Sequence, residues 1–313
     1  MEFVKSPSGW RSWSARKKSL IFGSILLFIV ALAVGLGVGL GLGLNNDDND
    51  NDNDSNNPNT NNPNTNNTEI WQPAVGTTWQ IVLRYPLNDT SLDVDVYDID
   101  LFDNPPATIS ALHASSRKVI CYFSAGTYED WRDDAEDFPE EDLGAKLPDW
   151  PGESWIDIRS PAIRAIMGAR LDVARDKGCD GVDPDNVDGY DNDNGLDLTE
   201  ADSVDYLNWL SGEARRRGLS IGLKNAGAII ERVIGGMQYS VNEQCAQYNE
   251  CDVYAAFVAG VKPVFHIEYP KGDEVNDEVD VGERLVREAC EFGEEGFSTL
   301  IKNMDLDNWV QNC

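Results

Sequence analysis

Segments with the length of β-strands alternate with segments with the length of α-helices throughout residues 69–313, and this alternation restricts the fold more than any other feature. The strand-like segments are continuous apolar runs, which is typical of a parallel sheet covered by helices on both faces. Their number, about eight, and the length of the region favour an α/β fold of the (β/α)8 TIM-barrel type over an open doubly wound sheet. No glycine-rich phosphate-binding loop follows the first strand, which argues against a nucleotide-binding fold.

Turn and capping signals set the expected bounds of these elements. The predicted strands are residues 79–83, 94–100, 118–123, 154–158, 180–183, 219–224, 238–241, 263–269 and 296–301. The predicted helices are residues 108–116, 161–177, 199–217, 229–234, 251–259 and 281–292. The second helix has the clearest signals, because Ser160 can cap it, Pro161 suits its first turn and Gly178 can end it.

Three segments of different composition precede this domain. Residues 1–19 are basic, residues 20–44 contain no charged side chain, and residues 45–68 consist of Asn, Asp, Pro, Thr and Ser. The uncharged segment would rise about 37 Å as a helix, which exceeds a hydrocarbon core of roughly 30 Å. Its length and its long basic flank predict an uncleaved transmembrane signal-anchor with the N-terminus in the cytosol. The segment that follows is predicted to be a disordered linker.

This topology predicts a single-pass type II protein of the plasma membrane, with residues 69–313 outside the cell as a monomeric domain. Asn53, Asn66 and Asn88 begin glycosylation sequons. All six cysteines lie in the domain, and an even number in an oxidising compartment suggests up to three disulfides. Proximity favours Cys245–Cys251, and Cys290–Cys313 would fix the C-terminal end. Cys121–Cys179 then remains, with a buried free thiol at Cys121 as its alternative.

The charge of the domain limits its partners. Residues 69–313 carry a net charge of −29, which disfavours nucleic acids and anionic membrane surfaces and favours cationic partners. The cysteine spacings do not resemble a zinc site, and the acid-rich residues 188–197 do not fit the ligand positions of an EF-hand. No metal or other cofactor is therefore predicted, although a looser calcium loop remains an alternative for this acidic run.

Most of the predicted strands end in polar or acidic residues. The carboxyl ends of barrel strands carry the active site in TIM-barrel enzymes, so we expect these side chains to line one cleft. The run from Cys179 to Tyr190 is the strongest case, with a solvated acidic loop as its alternative. The candidate site residues are Tyr122, Asp157, Asp183, Asp185, Asn186, Tyr190, Lys224, Asn225, Asn242, Glu243, Gln244, Glu268 and Tyr269.

Two of these carboxyl groups suit glycoside hydrolysis, which needs one acid and one ionised group on either side of the scissile bond. Asp185 and Glu243 are the predicted pair, because each follows a strand end beside amide side chains. An ion pair of Glu243 with Lys224 or Arg232 is the structural alternative. The remaining assignments concern groups around this pair. The amides expected to bind sugar hydroxyls are Asn186, Asn242 and Gln244. The aromatic rings expected to stack on sugars or to pack are Tyr122, Trp131, Tyr190 and Tyr269. The further carboxyl candidates are Glu268 and Asp183, and Asp183 holds Lys224, orients Asp185 or is itself the catalytic acid.

Six ordered motifs in this region resemble glycoside hydrolase family 114, the endo-α-1,4-polygalactosaminidases. They are Cys121–Gly126, Trp155–Arg159, Cys179–Asn186, Gly222–Asn225, Asn242–Cys245 and His266–Tyr269. The resemblance covers residues 70–313 and implies a TIM-barrel enzyme that cleaves α-1,4-linked galactosamine polymers within the chain. The catalytic Asp and Glu of the family fall on Asp185 and Glu243. Membrane-anchored fungal members of the family have the same plan of anchor and linker.

The mechanism and the function each leave two alternatives open. Glu243 is the hypothetical general acid/base and Asp185 the nucleophile of a retaining mechanism, whereas Asp185 would activate water in an inverting one. The two roles could also be exchanged. A surface-anchored lectin or adhesin that binds a cationic polysaccharide without cutting it is the second function, and a calcium-dependent adhesion domain is the third.

Overall fold

The computed structural model describes residues 70–273, 275–293 and 295–313, which belong to one compact unit, Asn67–Cys313. The predicted cytosolic segment, transmembrane segment and linker lie outside the described residues, as do the sequons at Asn53 and Asn66. Among the helices that are described, none has the length and apolar character that spanning a bilayer requires.

Strands and helices alternate along the described chain. The strands are β1 (Trp79–Val82), β2 (Val96–Asp100), β3 (Lys118–Ser124), β4 (Thr127–Glu129), β5 (Leu143–Lys146), β6 (Glu153–Ile156), β7 (Gly181–Asp185), β8 (Ser220–Lys224), β9 (Tyr239–Glu243), β10 (Val264–Glu268), β11 (Phe297–Lys302) and β12 (Val310–Asn312). The α-helices are α1 (Pro106–Ala114), α2 (Pro161–Lys177), α3 (Glu200–Arg216), α4 (Ile230–Val233), α5 (Cys245–Tyr248), α6 (Ala255–Ala259) and α7 (Glu283–Cys290).

The main sheet is a nearly closed barrel. Its strands lie in the order β1–β2–β3–β7–β8–β9–β10–β11–β12, and all are parallel except β12, which pairs antiparallel with β11. Side chains join its two ends: Trp79 Nε1 donates to the carbonyl of Ser298 at 2.8 Å, and Lys302 Nζ donates to Gln80 Oε1 at 3.0 Å. The α/β barrel expected from the alternation is present, and it is consistent with the TIM-barrel architecture.

Tyr239 fills the interior of the barrel below its carboxyl end. Its ring packs against Phe265 from β10, and its hydroxyl donates to the carbonyl of Val182 at 2.7 Å. The ring occupies space that glycines leave open, since a Cβ on Gly222 would lie 2.3 Å from Tyr239 Cε2. The interior is therefore packed, and polar chemistry is confined to the layers nearer the strand ends.

The predicted barrel strand at residues 154–158 is wrong. Strand β6 pairs antiparallel with β4 and β5 in a separate three-stranded sheet, inserted between β3 and α2. An apolar run shows that a strand is buried but does not specify its partner. Asp157 consequently does not follow a barrel strand, and its carboxylate binds Arg159 at 2.8 and 2.9 Å.

The other differences concern element bounds. The predicted helix at residues 251–259 is a 3-10 turn followed by the short α6, and the strand predicted from residue 94 begins at Val96. The predicted helix at 229–234 is shortened to α4, and the one at 281–292 to α7. Strands β4, β5 and β12 and helix α5 are additional elements. All of them are at most four residues long, too short to show a hydrophobic period.

Three disulfides join the six cysteines in the favoured pairing. They are Cys121–Cys179, Cys245–Cys251 and Cys290–Cys313. The first connects β3 to the residues before β7, and the second closes the segment after β9. Because β3, β7 and β9 also carry predicted site residues, two of the three disulfides brace the elements of the site.

We expect the two buried disulfides to stabilise the fold unequally. Their sequence separations are 58 and 6 residues, so loop-closure entropy predicts losses of about 4 and about 2 kcal/mol in the free energy of unfolding. Replacing each pair by alanines and measuring urea unfolding tests this order. Both pairs are buried, so the cavity cost is similar in the two variants. Equal losses, or a larger loss for Cys245–Cys251, would contradict the prediction.

Candidate active site

Three neighbouring barrel strands end in charged residues that meet at the carboxyl end. Asp185 ends β7, Lys224 ends β8 and Glu243 ends β9. Lys224 Nζ lies 3.3 Å from Asp185 Oδ1 and 3.3 Å from Glu243 Oε2. The two carboxylate oxygens are therefore separated by no more than twice that distance. The structure brings the predicted pair together, with Lys224 between its members.

A left-handed residue follows each of these strand ends. Asn186, Asn225 and Gln244 have φ angles of 60°, 47° and 63°. This conformation turns the chain sharply out of the strand, so that each charged residue is the last one held by the sheet. Asparagine tolerates it better than most residues, whereas Gln244 adopts it at a cost on the order of 1 kcal/mol. At the first turn, Asn186 N donates to Asp185 Oδ1 at 2.8 Å.

Two tyrosines donate to the outer oxygens of the carboxylates. Tyr122 Oη donates to Asp185 Oδ2 at 2.8 Å, and Tyr269 Oη donates to Glu243 Oε1 at 2.5 Å. Burial raises the pKa of both phenols well above the ordinary value, and the neighbouring carboxylates add to this effect. The two hydroxyls therefore remain donors at neutral pH. Both rings were candidates for sugar stacking, and the structure places their hydroxyls on the carboxylates.

The amides of Asn225 and Asn242 support Glu243. Asn225 Oδ1 accepts from the Glu243 backbone N–H at 2.9 Å and from Asn242 Nδ2 at 3.3 Å. Asn225 Nδ2 also reaches Glu243 Oε2 at 3.4 Å. Because Asn225 carries the turn after β8, these contacts tie the end of β8 to the end of β9. Asn242 is fully buried, which leaves it no access to a sugar hydroxyl in this conformation.

Two further carboxyl groups lie below this layer in the barrel interior. Asp98 and Asp183 are fully buried and have no hydrogen-bond partner among the described residues, and Asp183 Oδ2 lies 4.0 Å from Lys224 Nζ. Burial raises the pKa of Asp183 to about 7, against the attraction of Lys224 and with the repulsion of Asp185. Burial, together with Asp183, raises the pKa of Asp98 well above its ordinary value.

Lys224 keeps its charge in this surrounding. Burial lowers the pKa of its ammonium, but the carboxylates of Asp185, Glu243, Asp183 and Asp98 outweigh burial and raise it well above the ordinary value. The ammonium also lies 5.5 Å from the centre of the Tyr122 ring. Lys224 is thus a permanent buried cation that links both candidate catalytic carboxylates.

Four other candidates have different environments. Glu268 is buried, and its Oε1 accepts from Ala246 N at 2.8 Å and lies 2.9 Å from His266 Nε2, so it anchors the start of α5. Gln244 donates to Gln247 at 3.0 Å. Trp131 is 52 % exposed, whereas Tyr190 packs partly buried against the core. Of the two aromatic residues, Trp131 has the more exposed ring.

The alternative pairing of Glu243 with Arg232 is wrong, since Arg232 contacts Glu200 at 3.1 Å. One group of described residues has metal-like spacing: Cys245, Cys251 and His266. Its two sulfurs are bonded to each other, so they are not available as thiolate ligands.

The sequence analysis missed the residues that connect the inserted sheet to the site. A Cβ on Gly126 would lie 1.6 Å from the carbonyl oxygen of Asn186, so glycine alone lets the turn between β3 and β4 pass over the end of β7. Thr127 and Glu153 lie just beyond this crossing, buried and hydrogen-bonded to each other. Gly126 ends the motif Cys121–Gly126. Nothing in the sequence indicated that the chain crosses the end of β7 there or that β6 returns beside it.

The exposed fractions of the carboxyl side chains show which of them a substrate can contact. The side chains of Asp185 and Glu243 are 19 % and 24 % exposed, whereas that of Asp183 is fully buried. A substrate can therefore reach the first two and not the third. Two accessible carboxylates at the carboxyl end of a barrel are the arrangement that glycoside hydrolysis requires.

The chain belongs to glycoside-hydrolase family GH114, whose family model matches residues 60–313. It is similar to Aspergillus fumigatus Ega3, solved as a complex with galactosamine, at 62% identity and a TM-score of 0.78 over 79% of this chain and 100% of that one. The glycoside hydrolase domain of Pseudomonas aeruginosa PelA shares the fold, at 16% identity and a TM-score of 0.57 over 74% of this chain and 98% of that one. An uncharacterised Deinococcus radiodurans protein is 32% identical over 126 residues, which are 39% of this chain and 41% of that protein.

Proposed function

We propose that this protein is an endo-acting glycoside hydrolase that cleaves α-1,4-linked polymers of galactosamine and N-acetylgalactosamine, of the galactosaminogalactan type. The observation that carries the proposal is the pair of accessible carboxylates, Asp185 and Glu243, on either side of Lys224. Membership of GH114 supports the reaction class, and 62% identity to a protein solved with galactosamine supports the sugar.

The charge of the protein supports a cationic polymer as substrate. The net charge of −29 on residues 69–313 attracts a chain that carries free ammonium groups. We therefore expect partly deacetylated polymer to bind more tightly than the fully acetylated polymer of the same linkage. Salt should weaken the preference, because exposed charges are screened over about 8–10 Å at physiological ionic strength.

Asp185 is the nucleophile in the mechanism that we propose. Three donors fix its carboxylate: the Tyr122 hydroxyl, the Lys224 ammonium and the Asn186 N–H. One oxygen attacks the anomeric carbon while Glu243 gives its proton to the departing glycosidic oxygen, which yields a covalent glycosyl-enzyme and a new chain end. Glu243 then takes a proton from water as the water displaces Asp185, so the product keeps the anomeric configuration of the substrate.

The stereochemistry of the product tests this assignment. Retaining enzymes have carboxyl groups about 5–5.5 Å apart, and inverting enzymes about 6.5–9.5 Å. The shared contact with Lys224 keeps one oxygen of Asp185 within twice 3.3 Å of one oxygen of Glu243, a limit that both classes of enzyme satisfy, so the stereochemistry of the product decides between them. Proton NMR in the first minutes of hydrolysis, before mutarotation, should show the α-anomer. An initial β-anomer would assign Asp185 to the activation of water.

Product release from the polymer tests the function itself. Purified protein is incubated with partly deacetylated α-1,4-galactosaminan, and the products are separated by size. An endo-acting enzyme yields a ladder of oligosaccharides early, whereas an exo-acting enzyme yields monomer. If the protein binds the polymer and releases nothing, the alternative function of a surface lectin or adhesin replaces the hydrolase.

We also propose that residues 1–68 hold the domain at the outer face of the plasma membrane. The support is in the sequence: a basic segment, an uncharged segment of membrane-spanning length, and a polar linker before residue 69. Asn88, in the described residues, is exposed, as a glycosylation site must be. Protease treatment of intact cells should release the domain as a monomer, and glycosidase treatment should reduce its mass.

A further inference from the structure

A chain of buried polar side chains leads from the inserted sheet to the carboxylate of Asp185. Glu153 Oε2 accepts from Thr127 Oγ1 at 2.9 Å, and Thr127 Oγ1 lies 2.5 Å from Ser124 Oγ. Asn186 Nδ2 then donates to Ser124 Oγ at 3.1 Å and reaches Thr127 Oγ1 at 3.3 Å. Asn186 N holds Asp185 Oδ1, so the chain ends at the proposed nucleophile.

The ionised state of Glu153 fixes the direction of every bond in this chain. A carboxylate only accepts, so Thr127 must give its hydroxyl hydrogen to Glu153. Ser124 must then give its hydrogen to Thr127, which leaves the Ser124 oxygen free to accept. It accepts from the Thr127 N–H at 3.1 Å and from Asn186. The NH2 group of Asn186 therefore faces inward, and its carbonyl oxygen faces the other way.

That carbonyl oxygen is free for a ligand. Asn186 Oδ1 accepts no hydrogen bond from the described residues, and it does not belong to their buried unpartnered atoms. Asn186 is half-buried at the rim, directly after Asp185. An acceptor in this place suits an ammonium or a hydroxyl group of the sugar bound beside the nucleophile.

We propose that Glu153 is a positioning residue that sets substrate specificity through the orientation of the Asn186 amide. When Glu153 is ionised, Asn186 presents an acceptor to the sugar next to Asp185 and favours one with a free ammonium group. The inference rests on the proposed function for its substrate and concerns a different residue.

The surroundings of Glu153 explain why it can control the chain. Glu129 on β4 lies opposite Glu153 across the strand pair. Its carboxylate accepts two hydrogen bonds from Arg132 at 2.9 Å and lies 3.7 Å from Arg170 Nη1. Glu153 itself is 8 % exposed, and among the described residues the Thr127 hydroxyl is the donor to its carboxylate. On the other edge of β6, Ser154, the residue after Glu153, lies opposite the exposed Lys146 of β5 in the strand register.

Protonation of Glu153 removes the constraint that fixes the direction of the hydrogen bonds in this chain. Burial raises the pKa of Glu153 to about 7 against the hydrogen bond of Thr127, with Glu129 and Asp185 adding to the rise and Arg132 opposing it. Below this pH the protonated Glu153 can donate a hydrogen bond to Thr127, Thr127 can donate to Ser124, and Ser124 can donate to Asn186. The carbonyl oxygen of Asn186 is then no longer held toward the cleft, and its NH2 group disfavours an ammonium when it takes that place. The acceptor is therefore fixed above pH 7 and released below it, and it meets a charged sugar amine up to about pH 7.7–8.0, where such amines lose their proton.

The full-length variant Glu153→Gln tests this inference, because glutamine removes the group that can only accept. We expect KM for deacetylated α-1,4-galactosaminan to rise about tenfold at pH 7.5, where Glu153 is mostly ionised and the sugar amine still carries much of its charge, with the change in KM rather than in kcat. The ratio of variant to wild-type KM should approach one at pH 5.5, where the wild type is itself protonated at Glu153. A ratio that stays constant with pH, or stays at one throughout, overturns the inference.

Two comparisons separate orientation from other effects. Glu140→Gln makes the same chemical change at an exposed position between β4 and β5 and should leave KM unaltered. In an Asn186→Asp background both oxygens accept, so adding Glu153→Gln should no longer change KM. A simple electrostatic effect of Glu153 on Asp185 would persist there and would count against the inference.

Binding without turnover separates this inference from the proposed function. The dissociation constant of a short α-1,4-galactosamine oligosaccharide is measured on Glu243→Gln protein, with and without Glu153→Gln. If the wild type never cuts the polymer but affinity follows Glu153 and pH, the hydrolase fails and the inference stands. If the wild type cuts and neither KM nor affinity responds to Glu153, the inference fails alone.

Discussion

Replacing Asp185 by asparagine is expected to lower kcat on galactosamine polymer by at least about 10³-fold, and Glu243→Gln should do the same. Both changes keep the size of the side chain and remove its ability to attack or to transfer a proton. Each variant still leaves Lys224 one carboxylate partner, so the fold should persist. Reducing-end release measures the rate, and thermal unfolding confirms the fold.

Matched substitutions show whether the loss is specific. Asp193→Asn and Glu231→Gln change exposed carboxylates elsewhere in the domain and should retain wild-type rates.

Reaction with azide distinguishes the roles of Asp185 and Glu243 in their alanine variants. With Asp185→Ala it should yield a glycosyl azide of inverted configuration, and with Glu243→Ala one of retained configuration. Full activity of either conservative variant would remove that residue from the mechanism.

Removing Lys224 is expected to destabilise the protein more than any other change of a single charge described above. Lys224→Met leaves Asp185 and Glu243 without their shared cation, with Asp183 beneath them. Breaking a buried ion pair from one side typically costs about 3–5 kcal/mol in the free energy of unfolding. Urea unfolding at pH 8 measures the loss, and turnover should fall with it because both catalytic carboxylates lose a contact.

Lys118→Met provides the comparison for Lys224→Met. Lys118 also contacts a carboxylate, Asp180 at 2.7 Å, but its side chain is 47% exposed, so its loss should cost no more than about 1 kcal/mol in the free energy of unfolding.

The loss of stability in Lys224→Met relative to wild type should become smaller from pH 8 to pH 5. Lys224 lowers the pKa values of Asp183 and Asp98, which burial raises, so without the cation both rise further above their unfolded values. The penalty is then fully present above the folded values and is relieved as pH falls through them. A deficit equal to that of Lys118→Met would contradict the central role of Lys224.

The barrel and the proximity of Asp185 and Glu243 could be inferred from sequence, because both follow from local patterns. Apolar runs between capped helices specify parallel strands, and the ends of such strands share one face of the barrel. Asp185 and Glu243 were therefore candidates before any contact was known. The favoured disulfide pairing is also confirmed, although the sequence left a free thiol at Cys121 open as an alternative.

The partners of the site side chains could not be inferred in the same way. Tyr122 and Tyr269 were candidates for stacking, and only the register of β3 with β7 and the turn after β10 bring their hydroxyls to the carboxylates. The predicted place of β6 in the barrel was wrong, because its apolar pattern suits the barrel sheet and the inserted sheet equally well. Glu153 remained unnoticed for the same reason, since its contact with Thr127 depends on an antiparallel pairing of distant segments.

The inserted sheet β4–β6 occupies one uninterrupted stretch of the chain, residues 127–156, whereas the charged core of the site is spread over β7, β8 and β9. The inserted sheet could therefore be exchanged as a single segment between homologous enzymes, without moving the proposed catalytic carboxylates. Such a graft replaces Thr127 and Glu153 together and meets the rest of the site at Gly126 and Asn186. If Glu153 sets the preference for charged or acetylated sugars as proposed, that preference would be transferred together with the segment.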